Sequence, residues 1–570
     1  MQKIHHMNTK AGQYLFTEEP RHRDSNGKLS KIKRTYYGKM IKGEFVPNER
    51  YLKLTKKEKI NLGIEAEPDE NIVEKVLRKK SNMEDKKGAT ILSSRKFYGS
   101  VYLLEQAAKL SGVEKLLIDS FPKSYKKILS LCYFFILERH SALYRFDVWG
   151  RIHKHPYNYN ISSSSSTKFL DSITENEKDY FLSKWARAKG DNEITAIDST
   201  SISSYSQLLK MAKRGINKDH DLLNQLNVLV GFGADCHLPI YIKQLPGNIS
   251  DVTTIKNLVD DFNSYGIKAS TFFLDRGFYS IQNIGSMLDN NYHFLCMIKG
   301  HPLYIRNLFE DISDITSPIY FVKKYKINAV TKKYLLQYKK DDKHKSRTVY
   351  ITKSYDPENA KNAKERFNIK IAILKEELQS KKIIQAKSVY NKYFNVEWEK
   401  EIVKSIDKKT GNIKEKIVET KIPLSFEYNE EKINEENNNL GWVCFISDIY
   451  KNPETVIEQY RKRDTVEKFF ENLKERIGLK RFLSGKQTVV DSKLFFAFIA
   501  LIIYSELETR KGKATLKQES LLKNYTMQKL FDDFDTIEEY QVAKGNFKLS
   551  EITKKQHDIL TELCLPDLKN

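Results

Sequence analysis

Apolar residues recur in short runs through the middle of the chain, and turn residues separate most of these runs. Runs rich in β-branched and aromatic side chains predict strands at 194–198, 226–234, 238–243, 271–275 and 293–298. Turn residues between the first three favour an antiparallel meander, and a helix is predicted near 252–265, before the fourth. This order predicts a mixed α/β unit over about 190–300.

The apolar spacing becomes helical on both sides of this unit. Val101–Leu110 and Ile128–Leu137 carry apolar residues at helical spacing, which predicts a helical region over 88–190. After residue 486 the pattern is helical again. The longest apolar run, Leu494–Tyr504, is too short to span a bilayer and predicts a buried core helix, so we expect no membrane association.

The N-terminal region has β character. Gln13–Phe16 and Lys33–Tyr37 flank the turn-rich stretch Asp24–Gly27, which predicts a hairpin. The charged stretch Glu65–Lys87 predicts a surface helix or a linker. We therefore expect residues 1–87 to form a separate region before the helices.

A lysine-rich block over 301–440 differs from what precedes it. It predicts a strand around Ser346–Thr352, a helix near 357–384 and a hairpin turn at Lys408–Asn412. The strand Gly441–Ser447 then resumes the earlier pattern. The block therefore has the character of an insertion within one core.

A helix is predicted directly after that strand. Pro453 suits its first turn and Gly478 suits its end. Its apolar positions supply one buried face, which leaves the charged residues for a cleft edge or for solvent.

The chain is strongly basic. Its net charge is +23, and its first 97 residues hold 23 Lys and Arg against 13 Asp and Glu. Such an excess favours a polyanionic partner, most simply nucleic acid. The alternative is an AT-rich coding bias toward lysine, although that bias would enrich glutamate as well.

The cysteines and the first residues bear on the compartment. None of the 5 cysteines are closely paired, and most lie in apolar runs, which indicates free thiols in a reducing compartment. The stretch Met1–His6 has no apolar signal region. We therefore expect a cytoplasmic protein.

Carboxylates occur at three informative positions. Asp198 and Asp275 each end an apolar stretch, and Glu467 lies on the late helix. Oxygen ligands of this kind suit a pair of Mg²⁺ ions, with Mn²⁺ as a substitute. The alternative for both aspartates is a structural turn at the end of a strand.

The late helix carries a row of polar residues. Tyr460, Glu467 and Lys474 are seven residues apart, so an α-helix returns them to nearly the same face, with Arg463 beside them. Such a face suits a metal site that must also hold an anionic polymer. Glu471 competes with Glu467, and Arg463 could pair with Glu467 four residues on.

These residues match a family pattern. Tyr460, Arg463, Glu467 and Lys474 spell the Tyr-x2-Arg-x3-Glu-x6-Lys signature, and the chain resembles the insertion-sequence DDE transposases of the YREK type. The stretches Asp198–Thr200, Gly247–Asp251 and Leu274–Phe278 are similar to that family's motifs around its aspartates. The resemblance is most specific over 190–300 and 440–485.

The resemblance implies an α+β fold with a ribonuclease-H-like mixed sheet core, a β-rich insertion domain and mainly helical N- and C-terminal regions. We expect a basic N-terminal region with a β-hairpin over 1–87, a helical DNA-binding region over 88–190 and the first part of the core over 191–300. We expect the insertion domain over 301–440, the second part of the core over 441–485 and a helical C-terminal region over 486–570.

The resemblance also implies an activity. It implies a bacterial enzyme, associated with the nucleoid, that binds the terminal inverted repeats of its insertion sequence as a homodimer. That enzyme cleaves the ends by two-metal hydrolysis and transfers the 3′ ends into target DNA. Alternatives are a metal-dependent nuclease without strand transfer and an inactive relative that only binds DNA ends.

Residue roles follow from the same resemblance. Asp198, Asp275 and Glu467 are the expected metal ligands and catalytic residues, and Tyr460, Arg463, Lys474 and Arg276 are the expected DNA contacts. Trp398 and Trp442 could stack on a flipped base, with core packing as the alternative.

Overall fold

The computed structural model describes most of the chain. The described residues are 4–9, 12–21, 29–41, 44–63, 95–215, 223–268, 270–298, 300, 302–406, 413–479, 481–482, 484–543 and 546–568. Three predicted features therefore lie outside the described residues: the turn at 24–27, the charged stretch at 65–87 and the turn at 408–412.

The N-terminal region is a small antiparallel sheet. The predicted hairpin is confirmed, because the second and third strands pair, and two more strands extend it. Leu15, Tyr37, Phe45 and Tyr51 form its buried core. The elements are β1 (Ile4–Thr9), β2 (Gly12–Glu18), β3 (Arg34–Ile41), β4 (Glu44–Pro47), α1 (Glu49–Leu52) and α2 (Lys56–Asn61).

A helical region follows, as its apolar spacing predicts. Both apolar runs singled out in the sequence lie in helices whose residues are largely buried. The elements are β5 (Arg95–Phe97), α3 (Gly99–Ser111), α4 (Val113–Ser120), α5 (Tyr125–Glu138), α6 (Phe146–Ile152), α7 (Ser163–Ser172) and α8 (Glu175–Gly190).

Four of the five central strands match their predicted positions closely, and the first extends six residues past its predicted end at residue 198. The first three form the predicted antiparallel meander, and the fourth pairs in parallel with the first. The elements are β6 (Glu193–Ser204), β7 (Asn224–Gly233), β8 (Pro239–Pro246), α9 (Thr254–Ser264), β9 (Ser270–Leu274), α10 (Ile281–Asp289), β10 (His293–Met297) and α11 (Leu303–Leu308).

The strands after α11 fall into two groups. β12 and β13 pair with the central sheet through β16, whereas β14 and β15 pair only with each other in the described residues. The elements are β11 (Phe321–Val322), β12 (Ile327–Lys340), β13 (Lys343–Tyr355), α12 (Pro357–Gln379), α13 (Lys387–Tyr393), β14 (Phe394–Ile406), β15 (Ile413–Tyr428), α14 (Glu430–Asn438) and β16 (Trp442–Ser447).

The two-stranded part has a core of its own. Phe367, Leu374, Tyr390 and Trp398 pack together there. Trp398 is 3% exposed, and its indole N–H donates to Asn391. The ring is therefore unavailable to a flipped base, and core packing is its role.

The last part of the chain is mostly helical, with one correction. The sequence predicts a helical region over 486–570, but the structure has two strands there. β18 pairs with β19 and with β5, and β5 lies more than 400 residues earlier in the chain, so local sequence does not indicate this strand. The elements are α15 (Pro453–Arg461), α16 (Asp464–Glu471), β17 (Arg481–Phe482), α17 (Gln487–Thr515), α18 (Met527–Asp535), β18 (Glu538–Ala543), β19 (Asn546–Leu549) and α19 (Lys554–Glu562).

The central sheet is mixed and has helices on both faces. Its order is β11-β12-β13-β16-β10-β9-β6-β7-β8, and β17 also pairs with β6. Ile197 and Leu274 point to the face covered by α9 and α10. Ala196 and Phe273 point to the opposite face, which packs in the same core as α17. We call this second face the α17 face.

Helix α17 is the predicted core helix. Among the described residues it is the one helix long and apolar enough to cross a membrane, but 83% of its most apolar stretch is buried inside the protein. Its residues Phe496–Ile503 are fully buried against the sheet and the N-terminal helices. The prediction of a buried helix is confirmed.

Candidate active site

The strand register brings the two predicted aspartates together. Ile197 pairs with Leu274 in the parallel ladder of β6 and β9, so Asp198 and Asp275 are the next residues on adjacent strands. Side chains alternate between the faces of a sheet, so both carboxylates lie on the α17 face, two residues beyond Ala196 and Phe273. Adjacent strands lie about 4.8 Å apart, so the two side chains start close together.

Asp198 does not end its strand, which corrects the sequence prediction. Strand β6 continues to Ser204, because the polar residues after Asp198 pair with β7 and are buried there. Asp275 does end its strand. Its carboxylate accepts a hydrogen bond of 2.8 Å from the backbone N–H of Arg276 and caps a short 3₁₀ helix.

The helix that carries the polar row is broken. Asn452 caps α15, and Pro453 occupies its first turn as predicted. The α-helix stops at Arg461, and the N–H of Arg463 donates to the carbonyl of Tyr460, three residues back. The chain resumes as α16 and then as a π-helical segment, Asn472–Arg476. The single α-helix assumed from the spacing is therefore wrong.

Tyr460 nevertheless reaches the aspartates from α15. Its hydroxyl lies 3.5 Å from Asp275 Oδ1, and its ring packs on Phe445 with centroids 4.7 Å apart. Burial raises the pKa of Tyr460 well above its usual range, while Arg463 opposes that rise. The hydroxyl therefore stays protonated and can donate to an oxygen.

Arg463 connects two of the carboxylates. Its guanidinium lies 3.6 Å from Asp198 Oδ2 and 2.8 Å from Glu467 Oε1. The side chains of Arg463 and Asp198 are only 11% and 13% exposed, whereas that of Glu467 is 61% exposed. The predicted ion pair of Arg463 with Glu467 is thus present, and the same cation also lies near Asp198.

One donor of Arg463 is left over. Its Nε is buried and has no hydrogen-bond partner among the described residues. Burial works against the charge of Arg463, but Tyr460, Asp275 and Asp198 more than offset it and raise the pKa of the guanidinium. The guanidinium therefore stays charged beside the carboxylates.

The remaining residues of the row lie further along. Glu471 ends α16 and is exposed, and Lys474 is half-buried in the π-helical segment. A π-helix does not keep the 100° advance per residue, so the spacing no longer aligns Lys474 with Glu467. Gly478 has φ 71° and follows the segment, which confirms the predicted helix end.

Arg276 borders a cleft between the sheet and the insertion. The cleft has a volume of about 610 Å³, and Trp442, Lys392 and Lys432 also line it. Trp442 is half-buried against Tyr355, with ring centroids 4.9 Å apart, and Lys353 Nζ lies 4.5 Å from the Trp442 ring. Arg276 is exposed and directly follows Asp275, so it lies at the mouth of the site.

Two neighbours of the site were not singled out as such from the sequence. The carboxylate of Asp251 accepts a hydrogen bond of 2.5 Å from Ser199 Oγ, and a Cβ on Gly277 would lie 3.2 Å from it. Asp251 thus lies beside the strand of Asp198 and close to the turn after Asp275. Phe445 supplies the platform for Tyr460. Only the motif around Asp251 gave any sequence indication of either.

The donor set fits a hard divalent cation by its chemistry. Asp198, Asp275 and Glu467 offer oxygen ligands without histidine or cysteine, which is the set that Mg²⁺ prefers. In the described residues, however, no group of three potential ligands lies close enough to hold a metal. Glu467 meets Asp198 through Arg463 instead, so binding of a cation by all three would require Arg463 to turn away.

Comparison with known proteins identifies the family. A family model for the transposase DDE domain matches residues 189–503, more than half of the chain. Among solved structures, the piggyBac transposase synaptic complex with hairpin DNA matches at 10% identity, covering 82% of this chain and 76% of that chain, with a TM-score of 0.29. That TM-score is too low to support an argument, and no curated protein matches. On the match to the family model, the chain belongs to the transposase DDE domain family.

Proposed function

We propose that this protein is a DNA transposase that binds the terminal inverted repeats of its own insertion sequence, cleaves the ends and joins the 3′ ends to target DNA. One observation carries the proposal. Asp198 and Asp275 are adjacent on parallel strands, Tyr460 lies against Asp275, and Arg463 lies between Asp198 and Glu467. All of these residues lie within the matched domain.

The carboxylates are the proposed catalytic residues and metal ligands. Asp198, Asp275 and Glu467 would hold Mg²⁺, or Mn²⁺ in its place, and the bound ions would supply Lewis acidity for phosphodiester hydrolysis and transfer. DDE transposases generally use divalent metal ions. The buried position of Asp198 beside Arg463 keeps its charge compensated until substrate and cation are bound.

The polar residues around the carboxylates are the proposed DNA contacts. Arg463 is charged and Tyr460 has a protonated hydroxyl, so both could donate to a phosphate oxygen that enters beside the aspartates. Arg276 and Lys474 are proposed as further contacts to the backbone. The net charge of +23 supports a polyanionic partner for the molecule as a whole.

The proposed assembly is a homodimer on two paired DNA ends. A transposase must join both ends of its element to one target, and two copies of a single active site satisfy that need. Double-stranded DNA is therefore the proposed partner both as inverted repeat and as target.

The proposal is tested with a plasmid that carries the inverted repeats read from the DNA flanking the gene. In Mg²⁺, purified protein should release the flanked segment and produce joined products with a second plasmid. Chelation by excess EDTA should stop both steps. Cleavage without joined products would point to a nuclease of the same fold, and binding without cleavage would point to an inactive relative.

A further inference from the structure

The ribbon formed by β12 and β13 has two chemically different faces. On one face, Leu336, Tyr338, Val349 and Ile351 are buried in the core beneath α10. On the other face every side chain from Lys333 to Lys339 and from His344 to Thr348 is exposed. The exposed residues of this outer face, which we call the open ribbon face, are Lys333, Leu335, Gln337, Lys339, His344, Ser346 and Thr348.

The open ribbon face continues the face that carries the active site. Thr331 pairs with Thr352, Thr352 with Phe445 and Phe445 with Met297, which is level with Asp275. This row crosses the sheet on the α17 face and ends at the two aspartates. Because side chains alternate, the residues two, four, six and eight positions along from Thr331 share that face.

The lysines of the two faces differ in their ion pairs. On the buried side, Lys340 and Lys345 pair with Asp289, and Lys332 pairs with Asp311. On the open ribbon face, Lys333 and Lys339 have no ion pair with an acid in the described part of the chain. Uncompensated lysines alternate there with the hydrogen-bonding groups of Gln337, Ser346 and Thr348.

The dimensions match a DNA duplex. Lys339 lies eight residues along its strand from Thr331, which is about 26 Å at 3.3 Å per residue, and β12 lies four strands, or about 19 Å, from β9. The tip of the face is thus roughly 30 Å from Asp275, close to the 34–36 Å of one turn of B-DNA. A two-stranded β-ribbon is also narrow enough for the major groove.

A third exposed lysine, Lys451, lies between the open ribbon face and the active site. Lys451 lies over the ring of Tyr350 at 5.4 Å, just before α15, whose last turn carries Tyr460. Helix α15 covers the base of β12 near Ile327 and Ala329, so the open part of the ribbon begins beside it. The exposed cations therefore run from the ribbon tip to the helix that reaches the aspartates.

From this placement we infer that the open ribbon face binds duplex DNA about one turn from the cleavage site, through phosphate contacts of Lys333 and Lys339. The inference rests on the proposed function, because it concerns the same DNA substrate. It adds a binding surface in the central sheet itself, separate from the N-terminal regions and from the acidic site.

The test compares full-length parent protein with Lys333→Ala/Lys339→Ala, using 40-bp and 12-bp duplexes that each contain the cleaved end of the inverted repeat. The double variant should bind the 40-bp duplex on the order of tenfold more weakly. Its salt slope should fall by about two units, because each phosphate contact contributes about 0.9. Affinity for the 12-bp duplex should change little, and the nuclease footprint should shorten by about one turn.

Lys361→Ala/Lys364→Ala is the matched control. Both residues are exposed on α12, outside the sheet, and neither has an ion pair with an acid in the described residues. The control removes the same charge, so it should keep the affinity for both duplexes and the footprint of the parent. Thermal melting of both double variants checks that neither has lost its fold.

Two results would overturn the inference. If the parent binds and cleaves DNA but the ribbon variant behaves like the Lys361/Lys364 control, the open ribbon face is only a solvated sheet surface and the proposed function stands. If the parent neither binds nor cleaves DNA, the proposed function fails and the inference fails with it.

Discussion

At the scale of single residues, Arg463 determines how the acidic side chains are arranged. It lies between Asp198 and Glu467, but the two ion pairs differ in burial. The pair with exposed Glu467 contributes at most about 1 kcal/mol, as surface pairs do. Loss of Arg463 would remove the cation beside the little-exposed carboxylate of Asp198, and removing one partner of a little-exposed ion pair destabilises the fold. Arg463 is therefore expected to matter for folding as well as for DNA.

The row after Arg463 gives a prediction with three distinct outcomes. Glu467→Gln should reduce DNA cleavage by more than about a hundredfold, because a neutral amide is a poor Mg²⁺ ligand. Even residues that only hydrogen-bond to a metal ligand contribute about 10- to 100-fold to metal affinity or activity. Lys474→Ala should leave cleavage chemistry intact and lower DNA affinity, with a salt slope smaller by about one unit. Both are measured by gel assays of binding and cleavage.

Glu471→Gln is the control for that prediction. It makes the same chemical change one turn further along, at an exposed position outside the signature. It should be mild in both assays, since surface changes away from a site have small effects. An inactive Glu471 variant beside an active Glu467 variant would mean that Glu471 is the third ligand.

Sequence reasoning at the residue scale succeeded where the chemistry was local. Asp275 follows an apolar strand of its own, and the pair of Arg463 with Glu467 needs only a turn of helix. The contact of Asp251 with Ser199 spans 52 residues of chain. Such a contact depends on the position of β6 relative to the segment around Asp251, and no local sequence pattern predicts that position.

At the scale of elements, the end of the motif helix depends on a left-handed residue. Gly478 has φ 71°, and a Cβ there would lie 2.8 Å from the carbonyl oxygen of Arg139. Gly478→Ala should therefore lower the free energy of unfolding by about 1 kcal/mol or more. Differential scanning calorimetry should show a lower Tm.

Gly512→Ala is its matched control within helix α17. A Cβ at Gly512 would meet nothing within 4 Å, and the position is helical and exposed. Because alanine is the better helix former, this variant should gain about 0.5–1 kcal/mol. Equal Tm changes for both glycine variants would contradict the structure at the end of the motif helix.

Helix α18 ends in a carboxylate that is costly to ionise. Burial raises the pKa of Asp535 to about 6, although a hydrogen bond from Ser100 opposes the shift, and Asp532 and Glu138 add to it. The folded state thus keeps a proton that the unfolded chain has lost. Stability should fall as pH rises from about 4 to about 6 and stay level above that.

Asp535→Asn should remove this loss of stability with rising pH. At pH 7.5 the variant should be more stable than the parent by on the order of 1–3 kcal/mol, and the gain should shrink as the pH is lowered toward 4. Asp532→Asn removes the same charge from an exposed position of α18 and should change stability by less than about 0.5 kcal/mol. A gain for Asp535→Asn that is the same at both pH values would refute this account.

Element prediction failed where tertiary contacts overrule the local pattern. The break at Lys462 and Arg463 contains no glycine or proline, so the spacing alone predicted a continuous helix. The serines and threonine after Asp198 are polar, so the apolar pattern predicts that the strand ends early, although pairing with β7 extends it to Ser204. The strand β18 likewise depends on β5, far away in sequence.

At the scale of the whole molecule, the basic excess predicts how DNA affinity responds to salt. Log K for a random duplex should fall steeply with log salt, by about 0.9 for each phosphate contact neutralised. The measurement is a fluorescence titration of full-length protein at several salt concentrations. A flat response would attribute the lysines to coding bias and remove the charge as an argument for a DNA partner.

The layout of the molecule was only partly predictable. The meander, the helix after it and the strand before Asp275 follow from apolar runs and turns, whereas the mixed sheet was implied by the family resemblance. That β12 and β13 join this sheet through β16 follows from neither, because their partner lies about 90 residues later in the chain and their lysine-rich outer face resembles an independent surface. The family model matches the central part of the chain, residues 189–503. That part contains both the candidate active site and the open ribbon face.

The central claim is that Asp198 and Asp275 form the catalytic centre of a DNA-cleaving enzyme. The most direct test measures cleavage of an inverted-repeat end by the parent, Asp198→Asn and Asp275→Asn in Mg²⁺, with binding of the same end measured in parallel. The account predicts that each variant binds the end as the parent does and cleaves it at least about a thousandfold more slowly, since electrostatic groups at a reacting centre contribute 10²–10³ singly and metal ligands more. Parent-like cleavage by either variant would remove that aspartate from the catalytic centre and contradict the account.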